Sequence, residues 1–318
     1  MPISIFYKLT SKFFNFIEVE KPTYPLFFFR VGLSMICIGK FVVLKSNFNE
    51  FYGQYGLIQW SISKLSNYNF LPHIGNIVFA LSKCFSISHD QATTLLLELF
   101  FCACCFLMIG LFTRISTVIC FFLHLAFINT GNGFIYGVDV FTQLALFYGM
   151  FFPLNATYSI DSSIGISKFK KTSVWSGISI RMIQIQMCIV YLSTGIEKSL
   201  GKQWLNGEAI WRTLMMPIFK TYDFSWISNY PFIPVTLGIF VLIIEIGYSV
   251  FIWYPKTRTI WYIFIILLHI NIGVIMGMWF FAFVMIFLNT FAFGSDVLND
   301  IRSKSRSGNQ RWFLSKAS

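Results

Sequence analysis

The feature that leaves this chain least freedom is a series of long apolar runs, each interrupted by at most one or two charges. Residues 235–254, VTLGIFVLIIEIGYSVFIWY, are representative. A helix needs about 20 such residues to cross the hydrocarbon core of a bilayer, because each residue rises 1.5 Å along its axis. Water cannot satisfy the backbone of such a run if it is extended, and the alternating polarity of a membrane barrel is missing. Composition points the same way. Only 12% of the 318 residues are charged and 56% are hydrophobic, whereas about a quarter are charged in soluble domains. The sequence therefore predicts an all-α, polytopic helical membrane protein.

The apolar runs and their turn residues predict about eight transmembrane helices, at residues 25–44, 92–112, 115–128, 140–156, 178–194, 235–254, 259–276 and 279–293. Residues 74–87 are apolar but too short to span comfortably, and are expected to form a short interfacial or re-entrant helix. Residues 1–23 mix aromatics with Lys8, Lys12, Glu18, Glu20 and Lys21, without the clean apolar stretch of a cleavable signal. They are expected to be an amphipathic cytoplasmic lead-in to a transmembrane domain at 24–294, with 295–318 as a basic, irregular cytoplasmic tail.

Orientation follows from where the positive charge falls. The N-terminus, the Arg114 turn, the Lys168 loop, the Lys256 turn and the tail together hold 14 Lys and Arg, against 7 in the longer intervening loops. Cytoplasmic loops carry the excess of Lys and Arg, so the first set is expected inside, with both termini cytoplasmic. The net charge of +11 is thereby assigned to the inner leaflet of a cell membrane, in the manner of a bacterial inner-membrane protein, and no nucleic-acid partner is expected. Six of the seven cysteines fall in apolar segments and Cys84 outside them, with no spacing that defines a metal site.

This topology puts three unusual polar stretches, at 47–60, 129–139 and 195–207, on the extracytoplasmic face. The strongest is YLSTGIEKSLGKQWLNGEAIW, residues 191–211. Here a helix is expected to end near Gly195, with Glu197, Lys198 and Lys202 following within two turns. A lysine in a partly dry setting can serve as a base; alternatively Lys198 and Lys202 snorkel to the interface beside a belt of Trp204 and Trp211. The turn NTGNGFIYGVD, residues 129–139, sets Gly131, Gly133 and Gly137 among Asn129, Asn132 and Asp139. It reads either as a ligand-approach loop or as a helix hairpin capped by its Asn and Asp.

Ionisable residues inside the spans are functional suspects because burying charge in a bilayer is costly. Glu98, Arg181, Glu245 and His269 are the candidates, and Arg30 and Lys40 lie close enough to helix ends to snorkel. Pairing of Glu98 or Glu245 with Arg30, Lys40 or Arg181 is the structural arrangement expected. His269 in LLHINIGVIMGMWFF is a proton relay or an interhelical hydrogen-bonding group. His124 sits similarly in the third predicted span, and a haem held between the two histidines is the weaker reading, since two lone histidines define no site.

Taken in order and spacing, these motifs resemble the horizontally transferred transmembrane (HTTM) domain family, which is related to the vitamin-K-dependent γ-carboxylases. The resemblance runs over about residues 24–293 and rests on FFFRVGLS, YGQYGLI, LELFFCACCFLMIGLFTR, NTGNGFIYGVDVF, IQIQMCIVYLSTGIEKSLGKQWLNGEAIW and LLHINIGVIMGMWFF. In its compact length the chain is similar to the sporulation-delaying-protein B group, which is implicated in producing a secreted peptide toxin alongside a small partner protein. The resemblance implies an integral membrane factor for maturation or export of a small secreted peptide. In the carboxylases a lysine of this segment deprotonates vitamin K hydroquinone. The match GIEKSLGKQW puts that role on Lys198, with one extra residue before the Trp that makes Lys202 its rival. The long lumenal domain that holds propeptide and glutamate in the carboxylases has no counterpart in the matched segments, which ranks glutamate carboxylation below other quinone chemistry. The expected site is therefore Lys198, Lys202 and Glu197 as catalytic groups, with Asn129, Asn132, Asp139, Trp204 and His269 against substrate and a lipid quinone as the cofactor the resemblance implies. A non-enzymatic scaffold or transporter is the remaining class.

Overall fold

The computed structural model describes residues 11–316 except 13, 66–69, 132, 134, 169, 220 and 221, with side chains described up to residue 305. It is built from helices, and the described strands are a two-residue pair, β1 (Lys21–Pro22) antiparallel to β2 (Thr172–Ser173). The chain divides into two compact units, residues 1–179 and 180–318, which are considered separately.

The first unit contains α1 (Tyr24–Leu44), α2 (Trp60–Leu65), α3 (Ile74–Phe85), α4 (His89–Ile109), α5 (Thr113–Thr130) and α6 (Gly137–Phe151), with single helical turns at Phe48–Tyr52 and Ile160–Ser163. The 21 residues of α1 give it a length of about 31 Å. Pro25 stands at the start of α1, where its missing N–H leaves no bond unmade. A reciprocal capping box starts α4: Ser88 Oγ accepts from Gln91 N at 3.2 Å and Gln91 Oε1 from Ser88 N at 3.0 Å. Gly110 stops it at φ 73°, and only glycine fits there, because a Cβ would meet the Arg30 guanidinium at 2.6 Å. Helix α4 packs on both α1 and α5, and α6 packs on α5 and α1. Phe29, Leu33, Ile36, Cys37, Phe100, Cys104, Leu107 and Phe127 fill the space between. Phe28, Met35, Leu95, Phe106, Phe122 and Phe147 are exposed on the outside of the same helices, as expected where lipid is the solvent.

Helix α3, at 12 residues, measures about 18 Å and is too short to cross a bilayer. It packs on α4 and α5, its start anchored by Ile74 N donating to Thr130 Oγ1 at 2.9 Å.

The second unit takes up α7 (Val174–Leu200), which begins in the first, and continues with α8 (Lys202–Leu205), α9 (Glu208–Met215), α10 (Phe232–Phe251), α11 (Arg258–Met276) and α12 (Trp279–Lys316). Its helices α11 and α12 form the most intimate pair, and α10 packs on α11 and on the short α8 and α9.

Two expected boundaries are corrected. Helix α7 does not end near Gly195 but runs on to Leu200. Gly195 is there for proximity: a Cβ would stand 2.7 Å from Ile246 Cγ1 and 3.3 Å from Glu245 Cβ. The basic tail expected from residue 295, without an apolar period, is helical as far as it is described, for α12 continues to Lys316. Two acids one turn apart secure that extension. Asp296 accepts from Gln184 Nε2 at 2.9 Å and Asp300 from Arg258 Nη1 at 2.7 Å.

Among the described residues six helices are long and apolar enough to cross a membrane: the one starting at Tyr24, then α4, α5, α10, α11 and α12. Helix α6, at 15 residues, is apolar but shorter, and α7, at 27, is longer and more polar.

Candidate functional site

The second unit holds a polar array on the inner faces of α7, α10, α11 and α12. Lys198 stands in the last turn of α7, where the negative end of the helix dipole favours a cation. Its Nζ donates to Glu245 Oε1 at 2.6 Å, and the second carboxylate oxygen accepts from Thr194 Oγ1 at 3.3 Å. The side chain of Lys198 is 27% exposed and that of Glu245 only 7%. One partner is therefore sealed in the helix interior while the other reaches its edge. The indole of Trp204 lies against the same ammonium, 4.8 Å from ring centre to Nζ.

Deeper along the same helices, four side chains form a buried linear chain of hydrogen bonds. Asn289 Nδ2 donates to Tyr191 Oη at 2.7 Å, and Tyr248 Oη donates to Asn289 Oδ1 at 2.7 Å. Tyr191 Oη lies 2.8 Å from His269 Nε2. His269 Nδ1 is buried and has no hydrogen-bond partner.

The first unit has a charged cluster of its own. Lys40 of α1 donates to Asp139 Oδ1 of α6 and stands 3.3 Å from His124 Nε2 of α5. His124 Nδ1 lies 2.7 Å from Gln143 Oε1, so the ring donates there and its Nε2 is left to accept from the lysine. The side chains of Lys40 and Asp139 are 11% and 10% exposed and that of His124 is wholly buried. Asp139 also caps α6, its Oδ2 accepting from Tyr136 N at 3.3 Å.

The predicted residues fall out as follows. Lys198, Glu245 and Trp204 come together, while Glu197 and Lys202 are exposed. Asn129 donates to Pro72 O at 3.0 Å, tying the segment before α3 to the end of α5, and Asn132 lies outside the described residues. The expected charge pairing is corrected throughout. Glu245 pairs with Lys198, and Glu98 lies 3.9 Å from Lys45 on the surface. Arg181 donates to Gln184 Oε1 at 2.8 Å and stacks over Trp253. Neither Arg30 nor Lys40 snorkels. Arg30 is 1% exposed, donating to the carbonyls of Leu154 at 2.9 Å and Thr157 at 3.4 Å and also to that of Tyr158. Those carbonyls belong to the loop after α6, whose Asp161 in turn accepts from Phe112 N and Thr113 N at 2.8 and 2.9 Å. The residues that sequence reasoning undervalued are Lys40, His124 and Gln143, together with Tyr191 and Asn289. The only sequence signal for them was a polar side chain inside an apolar run.

Stacked apolar helices with lipid-facing aromatics outside and charged pairs inside define a multi-pass integral membrane protein. A family model described as the HTTM domain matches residues 54–296, most of the chain, and the protein belongs to the HTTM domain family. Comparison with curated proteins finds no match, and comparison with solved structures finds none.

Proposed function

We propose that this protein is a cell-membrane factor for the maturation or export of a small secreted peptide, working at the extracytoplasmic ends of its helices. The observation that carries this reading is the Lys198–Glu245 pair, a half-open ammonium held by a sealed carboxylate and faced by the Trp204 indole. Such a pair can grip a passing peptide through hydrogen bonds or move a proton on it. The motifs resembling the sporulation-delaying-protein B group support the peptide and a small partner protein as what it works with. The outside placement follows from positive charge, and the first unit is consistent with it. Strand pairing joins residues 21–22 to 172–173 at the end of the unit where α1 starts and the Arg114 turn lies, and the Lys40 cluster collects at the other. Among the described residues six helices meet the length and polarity of a span; adding α6 and α7 makes eight, which returns both termini to the cytoplasm.

Peptide output tests the reading. Cells carrying Lys198→Ala or Glu245→Gln should secrete little active peptide when expression is adjusted so that each variant matches the wild-type protein in membrane abundance. Undiminished output from both variants would overturn it.

A second reading, a quinone-dependent oxidoreductase or carboxylase-like membrane enzyme, draws on the same pair. The Lys198 ammonium donates to the Glu245 carboxylate at 2.6 Å, which holds it in place beside Trp204. Trp204 would offer a flat face to a quinone ring and Lys198 a hydrogen bond to its oxygen; when bound, the quinone would supply electron transfer. Loss of output in quinone-free membranes favours this enzyme, and retention of output there favours the non-redox factor.

A further inference from the structure

A cavity of about 500 Å³ opens in the first unit between α2, α3 and the start of α4, well apart in sequence from the Lys198 region. Gln54, Trp60, Lys64, Asn76, Phe79 and His89 line it. This volume suits one or two amino-acid residues, for ligand pockets run from about 300 to 1,000 Å³. Among the described residues the lining holds an ammonium, an imidazole and two carboxamides, and no carboxylate.

Its geometry is fixed from below. Trp60 Nε1 donates to Tyr52 O at 2.9 Å, and the Trp60 ring packs so closely on Gly75 that a Cβ there would stand 2.7 Å from it. The His89 ring lies with its centre 6.0 Å from that of Trp60 and 6.5 Å from that of Phe79. His89 Nδ1 is 2.7 Å from Gln54 Oε1 and so donates to it, which sets the ring orientation. Phe79, by contrast, is 62% exposed, an apolar wall that the described residues leave largely open.

We infer that this cavity is a binding site for the carboxyl-terminal end of a peptide whose last side chain is apolar or aromatic. The parts match that ligand one by one. Lys64 complements the terminal carboxylate, the Asn76 and Gln54 carboxamides meet its main-chain amide, and the Trp60, Phe79 and His89 rings receive the side chain. A lipid phosphate can accept from the lysine and from a carboxamide N–H, but it carries no N–H for the Asn76 carboxamide oxygen, which a peptide main chain does. The identity of the natural ligand rests on the peptide-handling function proposed above. The binding itself does not depend on the Lys198 pair or on secretion.

The test uses purified full-length protein in nanodiscs of zwitterionic lipid, titrated calorimetrically with N-acetyl-glycyl-phenylalanine as the free acid and as its carboxamide. The acid should bind saturably and about tenfold more tightly than the amide. Lys64→Gln should abolish that preference while leaving amide binding in place, and Phe79→Ala should weaken both probes together. Equal binding of acid and amide, no saturable binding of either, or full displacement of the acid by added phosphatidylglycerol would overturn the inference, the last result assigning the cavity to a lipid headgroup. Acid binding that survives Glu245→Gln, in cells that no longer secrete the peptide, would separate this site from the Lys198 pair.

Discussion

Removing Lys198 should destabilise the protein far more than removing its partner. Lys198→Met leaves the Glu245 carboxylate only 7% exposed, with the Thr194 hydroxyl donating to it at 3.3 Å. Stranding a buried charge in this way costs about 3–5 kcal/mol. Glu245→Gln leaves an ammonium that is already 27% exposed and keeps the Trp204 face. It can turn toward solvent or headgroups, so the loss should be about 1–2 kcal/mol. Removing both charges together replaces an ion pair with neutral groups of similar size. The double variant should therefore recover at least ~2 kcal/mol relative to the sum of the singles. Reversible unfolding in mixed micelles, read by tryptophan fluorescence, measures all three variants. A Lys198→Met protein within ~0.5 kcal/mol of wild type, or strictly additive effects, would refute the claim that the pair is sealed and coupled.

Three further outcomes follow from the same reasoning. In the first unit Lys40→Met should be destabilising by about 3–5 kcal/mol through the stranded Asp139 carboxylate, with partial rescue by Asp139→Asn in the same unfolding assay. Gly195→Ala should lose about 1–3 kcal/mol by overpacking, since its Cβ would stand 2.7 Å from Ile246 Cγ1 and 3.2 Å from the Ile246 backbone nitrogen; wild-type stability would show that α7 and α10 are not in close contact. The third concerns pH. Burial, with the nearby Lys64 charge, pushes His73 down to about 4 from its ordinary value of 6.5. The unfolded chain therefore binds a proton between about pH 6.5 and 4 that the folded protein refuses, and stability should fall through that window as pH drops. His73→Gln should flatten the fall, and an unchanged pH profile would contradict the account.

The spans were legible because hydropathy and length are local properties. Helices α10 and α11 lie within about three residues of the expected bounds, and Gly110 and Gly277 stop helices as turn glycines should. Gly195 misled because a glycine inside an apolar helix reads as an end, and only the approach of Ile246 from another helix explains it. Residues after 294 looked irregular because the acids that hold α12 find their partners, Gln184 and Arg258, far away in sequence. The same applies to the charged residues. That Lys40, Glu98, Arg181 and Glu245 were out of place in apolar runs was plain, but which of them meet depends on helix neighbours and rotation, and no spacing along the chain encodes that.

The intact masses of peptides secreted by cells carrying the wild-type protein, compared with those from cells carrying Lys198→Ala at equal membrane abundance, address the central claim most directly. The account predicts that one peptide disappears from the variant profile or shifts in mass, and the size of a shift would identify the chemistry done at the Lys198–Glu245 pair. An identical set of masses and amounts would contradict a working role for that pair.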